Sequence, residues 1–168
     1  MTGRDRERGQ GTSAEDVVRA LRERGETVAT AESLTAGLVA VTLTEVPGSS
    51  AVLRGGLVVY ATDLKHSLAG VDGALLAEHG AVHPEVAKQL AEGARDRCGA
   101  TWGLGLTGVA GPAPQDGVSP GTVHIGVAGP PGSVTKTFTL SGDRRQVREG
   151  ASAAALDLLR EQLMIPIR

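Results

Sequence analysis

The sequence predicts one α/β domain, a three-layer α/β/α sandwich around a mixed parallel and antiparallel sheet. Its 168 residues match the usual size of a single domain. Short β-prone runs alternate with helical patterns through much of the chain, which is typical of parallel strands joined by helices. A Gly-Pro-Pro-Gly turn at 129–132 separates two β-prone runs and predicts an antiparallel hairpin. The polar residues 1–12 are expected to be a disordered tail, and residues 13–168 to form the domain.

The first part of the domain predicts a helix, a strand and a second helix. Ser13 and Asp16 resemble a capping signature, and apolar residues then recur at helical spacing until Gly25. Residues 27–31 form a short β-prone run. Residues 34–44 are almost all apolar or small and end before a Pro-Gly pair, which predicts a buried helix directly after the buried strand.

The middle part predicts one strand and three helices. Residues 51–60 form a β-prone run that a Gly-Gly pair interrupts. Thr62 and Asp72 are expected to cap two short helices. Pro84 suits the first position of a longer helix, in which apolar residues at helical spacing make one stripe that reaches Cys98.

The last part predicts a strand, a hairpin and a long helix. Bulky residues alternate with glycine over 101–107, so one strand face is nearly bare and another element is expected to pack closely over it. A loop rich in Gly and Pro follows at 108–121, and residues 122–128 and 134–140 form the hairpin. Asp143 begins the final amphipathic helix.

The composition excludes several classes of function. Lys and Arg number 17 against 19 Asp and Glu, and a net charge of −2 argues against a general binder of nucleic acids or anionic membranes. Three aromatic residues are too few for base-stacking platforms. The sequence contains neither an apolar stretch of bilayer length nor a secretory signal, and Cys98 has no partner for a disulfide. We therefore expect a cytoplasmic protein with no nucleic-acid or membrane partner.

Two candidate sites combine a reactive side chain with a strand end. Ser33 stands where a strand is expected to give way to a helix, beside free N–H groups that would stabilise an anion. A plain N-cap is the alternative for this serine. Lys65 follows Tyr60 closely and falls at the start of a predicted helix, where the helix N-terminus and partial burial would both lower its pKa, as a neutral general base requires. An exposed lysine is the alternative.

Two further segments could bind an anion. Thr107 precedes a glycine-rich loop whose N–H groups could receive a phosphate or an oxyanion, although such loops also form ordinary turns. Arg144, Arg145 and Arg148 crowd the N-terminus of the final helix, where a phosphate-bearing ligand would offset their repulsion. The alternative is that Asp143 simply caps the helix and the arginines form a solvated face.

Two apparent motifs do not fit their context, and a third motif is absent. The G-x-G-x-x-G pattern at 103–108 lies within a strand and precedes a loop, so it does not predict dinucleotide binding. His79 and His83 are four positions apart, but Gly80 is expected to break the helix that would bring them together, so no metal site is predicted. Ser33 lacks the G-x-S-x-G elbow of an α/β-hydrolase.

Several segments occur together in an order typical of one family: AESLTAG at 31–37, VPGSSAVLRGGLVVYATDLK at 46–65, HGAVHPEVA at 79–87, TGVAGP at 107–112, PGTVHIG at 120–126 and GDRRQVR at 142–148. Through them the chain closely resembles the C-terminal domain of the competence/damage-inducible CinA family, whose stand-alone, PncC-like members are nicotinamide-nucleotide amidases. The resemblance covers about residues 14–163. It implies hydrolysis of the carboxamide of nicotinamide mononucleotide, without a metal or a cofactor. It also implies that the protein is a homo-oligomer, namely a dimer.

The resemblance also assigns residues. It places the family's catalytic serine, tyrosine and lysine at Ser33, Tyr60 and Lys65. Residues that match segments lining the family's substrate pocket are Thr35, Gly37, Thr107, Gly108, Ala110, Gly111, Arg144, Arg145 and Arg148. The family usually has Cys and Gly at the positions of Leu34 and Ala36, and often an aromatic residue at that of His124. These departures bear on the choice of substrate and on the rate more than on the class of reaction.

The functional residues are expected to meet at one edge of the sheet. Ser33, Tyr60, Lys65 and Thr107 each follow or end a predicted strand, where the sites of α/β proteins collect, and Ser33 and Lys65 should lie within bonding reach. The leading hypothesis is an amidohydrolase. The alternatives are a catalytically idle nucleotide-binding module and an interaction protein of competence or DNA-damage responses.

Overall fold

The computed structural model describes residues 11–166, so most of the expected tail and residues 167–168 lie outside it. The elements in chain order are α1 Ser13–Arg24, β1 Val28–Glu32, α2 Leu38–Thr44, a 3₁₀ turn Ser49–Ala51, β2 Leu53–Val58, α3 Thr62–Ser67, α4 Gly73–His79, α5 Pro84–Cys98, β3 Trp102–Gly108, β4 Thr122–Gly129, β5 Gly132–Thr139 and α6 Arg144–Leu163. None of these described helices combines the length and the hydropathy needed to cross a bilayer.

The five strands form one mixed sheet in the order β2-β1-β3-β4-β5. The pairs β1–β2 and β1–β3 are parallel, and the pairs β3–β4 and β4–β5 are antiparallel. The carboxyl ends of β1, β2 and β3 therefore lie along one edge, where ligands of open α/β sheets bind. The predicted mixed sheet is confirmed.

Helices cover both faces of the sheet. On one face α1, α2 and α6 pack against the larger apolar side chains, among them Leu104, Leu106 and Ile125. On the other face α5 packs against β1, which presents Ala29 and Ala31, and the short helices α3 and α4 add Leu64 and Leu76 to the same core. Helix, sheet and helix form the three layers that the sequence predicts.

Helix α5 lies unusually close to β3 and β4. Gly103, Gly105 and Gly126 face it, and a Cβ at any of them would overlap a backbone carbonyl of the helix, that of Ala91 for the first and that of Ala87 for the other two. Glycine is required at these positions because the helix backbone occupies the space of a side chain. The expectation that an element covers the bare strand face is confirmed.

The prediction of a helix over residues 34–44 is wrong for its first residues. Helix α2 begins only at Leu38, and residues 33–37 form a turn. Ala36 and Gly37 have φ angles of 48° and 100°, in the left-handed region, which interrupts any right-handed helix. The turn lets the chain reverse onto the sheet directly after β1.

Two helix caps also differ from expectation. Thr12, not Ser13, caps α1, and Glu15 completes its capping box. The residue before α3 is Ala61, so Thr62 is the first residue of that helix and not its cap. Two predicted caps are confirmed, Asp72 at α4 and Asp143 at α6.

We expect Gly105→Ala to lower the free energy of unfolding by about 1–3 kcal/mol, the usual range for overpacking a core. The new methyl group would press on backbone atoms of α5, which cannot move aside as a side chain can. The control is Gly55→Ala in β2, where a Cβ would meet only Cys98 Sγ at 3.9 Å. Denaturant unfolding followed by circular dichroism measures both variants. Equal stability of the two would contradict the close packing of α5.

Candidate active site

Ser33 and Lys65 form a buried pair at the carboxyl edge of the parallel strands. Ser33 is the first residue after β1, and Lys65 lies in α3, which follows β2. Lys65 Nζ donates a hydrogen bond to Ser33 Oγ at 2.9 Å. Ser33 is 8% exposed and Lys65 only 1%. The structure thus brings these two residues within bonding reach, as the sequence predicts.

Two backbone carbonyls complete the surroundings of Lys65 Nζ. The oxygen of Val59 lies at 2.8 Å and that of Tyr60 at 3.1 Å. Carbonyl oxygens only accept hydrogen bonds. When Lys65 is neutral, its two N–H groups satisfy the carbonyls and its lone pair faces Ser33, whose hydroxyl then donates. The arrangement fits a neutral lysine that takes a proton from this serine.

Burial makes Lys65 a base in the physiological range. It lowers the pKa of Lys65 from 10.5 to about 8, while the charge of Asp116 acts in the opposite direction. The predicted contribution of a helix N-terminus is wrong, because Lys65 lies in the last turn of the six-residue α3, and lost solvation is the principal cause of the lowered pKa. With a pKa of about 8, about a tenth of the lysine is neutral at pH 7.

Asp116 is a functional candidate that sequence reasoning missed. It lies in the loop 109–121, where its carboxylate accepts a hydrogen bond from Ala81 N at 3.0 Å. Thr107 Oγ1 donates to the backbone oxygen of Ala81 at 2.8 Å. The only signal in the sequence is that Asp116 is the single charged residue between 109 and 121. Asp116 thus holds the loop to the body of the domain and adds a negative charge that acts on Lys65.

Tyr60 reaches the lysine with its backbone and not with its phenol. The side chain is 57% exposed, and its hydroxyl accepts a hydrogen bond from Arg144 Nη2 at 2.8 Å. Arg144 Nη1 donates to the oxygen of Gly111 at 2.6 Å. The tyrosine ring and the guanidinium therefore form one wall at the entrance to the site.

A cavity of about 420 Å³ opens beside Ser33. It is lined by Ser33, Leu34, Tyr60, residues 108–115 and Arg144. A larger hollow of about 910 Å³ lies between α1 and α6, but its described lining includes no serine, cysteine, histidine or lysine. The smaller cavity is thus the better candidate for chemistry, because the Ser33 that lines it is hydrogen-bonded to a buried lysine.

The structure brings some of the predicted substrate-binding residues to this cavity and leaves others away from it. Gly108, Ala110 and Gly111 line the cavity. Thr107 is 1% exposed, and its hydroxyl is bonded to the backbone as described above. Thr35 is fully buried, with a hydroxyl that has no partner among the described residues, and Gly37 is the N-cap of α2.

The three predicted arginines have different surroundings. Arg144 lines the cavity. Arg145 is exposed and pairs with Glu149 at 2.8 Å. Arg148 Nε donates to the oxygen of Leu34 at 2.8 Å, so this guanidinium supports the turn that carries Ser33. Only Arg144 among the three is therefore placed to meet a ligand in the cavity.

Glu32 is a second residue that sequence reasoning missed. It ends β1 next to Ser33, is 1% exposed, and accepts hydrogen bonds from the backbone of α2. The available signal was a charged residue at the end of an otherwise apolar and small strand.

The histidines lie closer together than predicted. Gly80 ends α4 as predicted, but the ring centroids of His79 and His83 are still 4.5 Å apart, so the expectation that this break separates the two side chains is wrong. His124 Nδ1 bonds Thr137 Oγ1 at 2.8 Å, and burial together with His83 lowers its pKa. Within residues 11–166, no three His, Cys, Asp or Glu side chains are arranged to hold a metal ion.

Residues 10–163 match the sequence model of the CinA C-terminal domain. The chain belongs to the CinA C-terminal domain family. A CinA-like protein of Frankia casuarinae is 53% identical over 156 residues, which cover 92% of this chain and 36% of the relative. A CinA-like protein of Anaeromyxobacter dehalogenans strain 2CP-1 is also 53% identical, over 86% of this chain and 36% of its own length. The chain thus spans little more than a third of these relatives.

Solved structures of the CinA superfamily share the fold. A superfamily protein from Klebsiella pneumoniae 700603 superposes with a TM-score of 0.87 at 30% identity, covering 92% of this chain and 98% of that one. The competence/damage inducible protein CihA from Agrobacterium tumefaciens superposes with a TM-score of 0.82 at 33% identity, covering 91% and 96%. The expected CinA resemblance is confirmed in both sequence and fold.

The Ser33–Lys65 pair of this CinA domain predicts that the reactivity of Ser33 depends on pH. A fluorophosphonate reacts with a serine whose proton is being removed, so its rate of reaction with Ser33 should rise with pH to a plateau, with a midpoint near the Lys65 pKa of about 8. Lys65→Met should abolish this rise, whereas Lys88→Met, at a half-exposed position on α5, should retain it. Mass spectrometry of the labelled protein follows the rate. A profile that Lys65→Met leaves unchanged would exclude Lys65 as the base.

Asp116→Asn should move this midpoint to lower pH. The Asp116 charge raises the pKa of Lys65, so its removal lowers that pKa and leaves more neutral lysine at pH 6–7. The asparagine oxygen can still accept from Ala81 N, so the loop should stay in place. The same labelling assay measures the shift. A midpoint that moves upward, or stays at its original pH, would contradict an electrostatic action of Asp116.

Proposed function

We propose that this CinA-family protein is an amidase that converts nicotinamide mononucleotide into nicotinate mononucleotide and ammonia. The observation that carries the proposal is the 2.9 Å contact between Ser33 Oγ and a buried Lys65 Nζ at a ligand-sized cavity. A serine with a neutral base is suited to acyl transfer from an amide. The substrate itself follows from the family resemblance.

The reaction proceeds through an acyl-enzyme. Neutral Lys65 takes the hydroxyl proton of Ser33 as Oγ attacks the carboxamide carbon, which gives a tetrahedral oxyanion. Lys65 then gives this proton to the amide nitrogen, the carbon–nitrogen bond breaks, and ammonia leaves. Water attacks the resulting ester while Lys65 accepts its proton, and the collapse of the second intermediate releases the carboxylic acid and returns the proton to Ser33. One lysine thus serves as base and acid in both halves of the reaction.

Backbone N–H groups are available for the oxyanion. Leu34 and Ala110 both line the cavity, and neither amide donates a hydrogen bond within the described part of the chain. The amide directly after a nucleophilic serine is a frequent member of an oxyanion hole. Removal of one such donor typically costs about 10²–10³-fold in kcat, so these groups contribute to the rate as well as to binding.

The entrance to the cavity suits the remainder of the nucleotide. The pyridinium ring of the substrate is a cation, and the exposed face of Tyr60 offers a π surface to it. Arg144 uses one N–H on Tyr60 and one on Gly111, and a guanidinium has five. The remaining donors are available to the 5′-phosphate. We assign proton transfer to Lys65, and ligand contact to Tyr60 and Arg144.

The first test is ammonia release from nicotinamide mononucleotide. Ser33→Ala and Lys65→Met should each lower kcat by about 10²–10⁴-fold, because the first removes the nucleophile and the second its proton acceptor. Ser152→Ala is the matched control, since it removes another buried serine hydroxyl, one without a hydrogen-bond partner in the described structure. Binding of the nucleotide without ammonia release by the unmodified protein would replace the amidase by a non-catalytic nucleotide-binding module.

The second test concerns the phosphate. The unmodified protein should have a higher kcat/KM for the nucleotide than for its riboside, by about ten- to a hundredfold for one charge-assisted contact of about 1.5–3 kcal/mol. Arg144→Ala should remove this preference, and Arg145→Ala should keep it, because Arg145 pairs with Glu149 outside the cavity. Equal kcat/KM for both substrates in the unmodified protein would reject the phosphate contact.

A further inference from the structure

Helix α2 lacks a cap of its own. It begins after Gly37, which has no side chain to accept a hydrogen bond from the first-turn amides. The carboxylate of Glu32 supplies the acceptors from the end of β1. Its Oε1 accepts from Val39 N at 2.8 Å, and its Oε2 accepts from Ala40 N at 3.2 Å. The carboxylate therefore closes a short loop of chain, and Ser33 is the first residue inside that loop.

The carboxylate is anchored on the strand side as well. Thr30 Oγ1 donates to Glu32 Oε2 at 3.1 Å, and both side chains are buried. Thr30 and Glu32 lie two positions apart in β1, so their side chains share one face of the sheet. Three donors around one buried carboxylate satisfy it and fix its position.

The turn that Glu32 spans needs this support. Ala36 and Gly37 both adopt left-handed backbone angles, which L side chains rarely accept and which persist only when their surroundings hold them. On the opposite side Arg148 donates to the oxygen of Leu34 at 2.8 Å. The backbone of Ser33 itself donates to the oxygen of Leu106 at 3.1 Å. Among these contacts, those of Glu32 join the residue just before the turn to the residues just after it.

We propose that Glu32 is a positioning residue, whose carboxylate holds the 33–37 turn so that Ser33 Oγ stays at hydrogen-bond distance from Lys65 Nζ. The hydrogen bonds of the Glu32 carboxylate reach neither Ser33 nor Lys65, so its effect on this pair passes through the backbone of the turn. A misplacement of about 1 Å in such a pair can cost about a hundredfold in rate. As a role in catalysis, the inference rests on the proposed amidase function, but the reactivity of Ser33 can be measured without it.

The experiment compares Glu32→Gln with Glu26→Gln. Glu32→Gln keeps the volume of the side chain, but it leaves one acceptor oxygen in place of two and turns an NH₂ group toward groups that themselves donate. Glu26 is a partly buried carboxylate that accepts from Trp102 Nε1 at 2.6 Å, before β1 begins, so its replacement controls for a general loss of stability. Both variants are checked for folding by circular dichroism and then labelled with the fluorophosphonate across pH.

The expected result for Glu32→Gln is a plateau rate about ten- to a hundredfold lower, with the midpoint still near pH 8, and a lower kcat with an unchanged KM for the nucleotide. Glu26→Gln should keep the plateau. A folded Glu32→Gln protein that labels at the original rate would overturn the proposal, and so would a shifted midpoint, which would mean that Glu32 acts on the charge of Lys65. If Glu32→Gln does not fold, Thr30→Val removes one donor to the carboxylate and should lower the plateau in the same direction.

The two proposals fail separately in this design. A protein that shows the labelling effect but releases no ammonia keeps Glu32 as the positioning residue of a reactive serine and loses the amidase assignment. A protein that releases ammonia equally fast with Glu32→Gln keeps the amidase and loses the role of Glu32.

Discussion

The contact between α5 and the sheet determines where the walls of the site lie. Because β3 and β4 present glycine to this helix, the helix backbone lies against the strands in space that side chains would otherwise fill. The segment that leads into α5 is thereby drawn down to the carboxyl edge of the strands. There the peptide of Ala81 meets Thr107 through its oxygen and Asp116 through its nitrogen. The glycines of β3 and β4 thus help to place the loop 109–121, which forms one side of the cavity.

Lys65 connects the energetics of the fold with the chemistry of the site. Removing an ammonium from water is unfavourable, and the fold compensates by surrounding Nζ with three oxygen acceptors. The same loss of solvation lowers the pKa of Lys65, so the feature that is costly for folding also makes the lysine a base. Stability and reactivity are in opposition at this one side chain, as is common where perturbed pKa values occur.

The sequence predicts what depends on periodicity and chain order. The glycine alternation over 101–107 indicates the bare face of β3, and the positions of Ser33 and Lys65 after strands indicate a shared edge. It does not predict Glu32 or Asp116 as parts of the site, because their partners are backbone N–H groups of other segments, which carry no residue-type signal. It also cannot distinguish Arg144 from Arg145, since neighbouring positions in the first turn of a helix point about 100° apart and only the packed structure sets the direction.

The change from parallel to antiparallel pairing occurs at β3. A further parallel strand would require a crossover helix after β3, and that helix would belong to one of the two cores. Instead β4 returns antiparallel beside β3. Residues 109–121 connect the two strands at the carboxyl edge of β3 and contribute no helix to either layer. Val109 and Ala110 at the start of this segment are buried, but residues 112–120 are almost all exposed, so this exposed part can vary in length and sequence while both cores stay intact. Changes in this wall of the cavity can therefore accumulate at little cost to the stability of the fold.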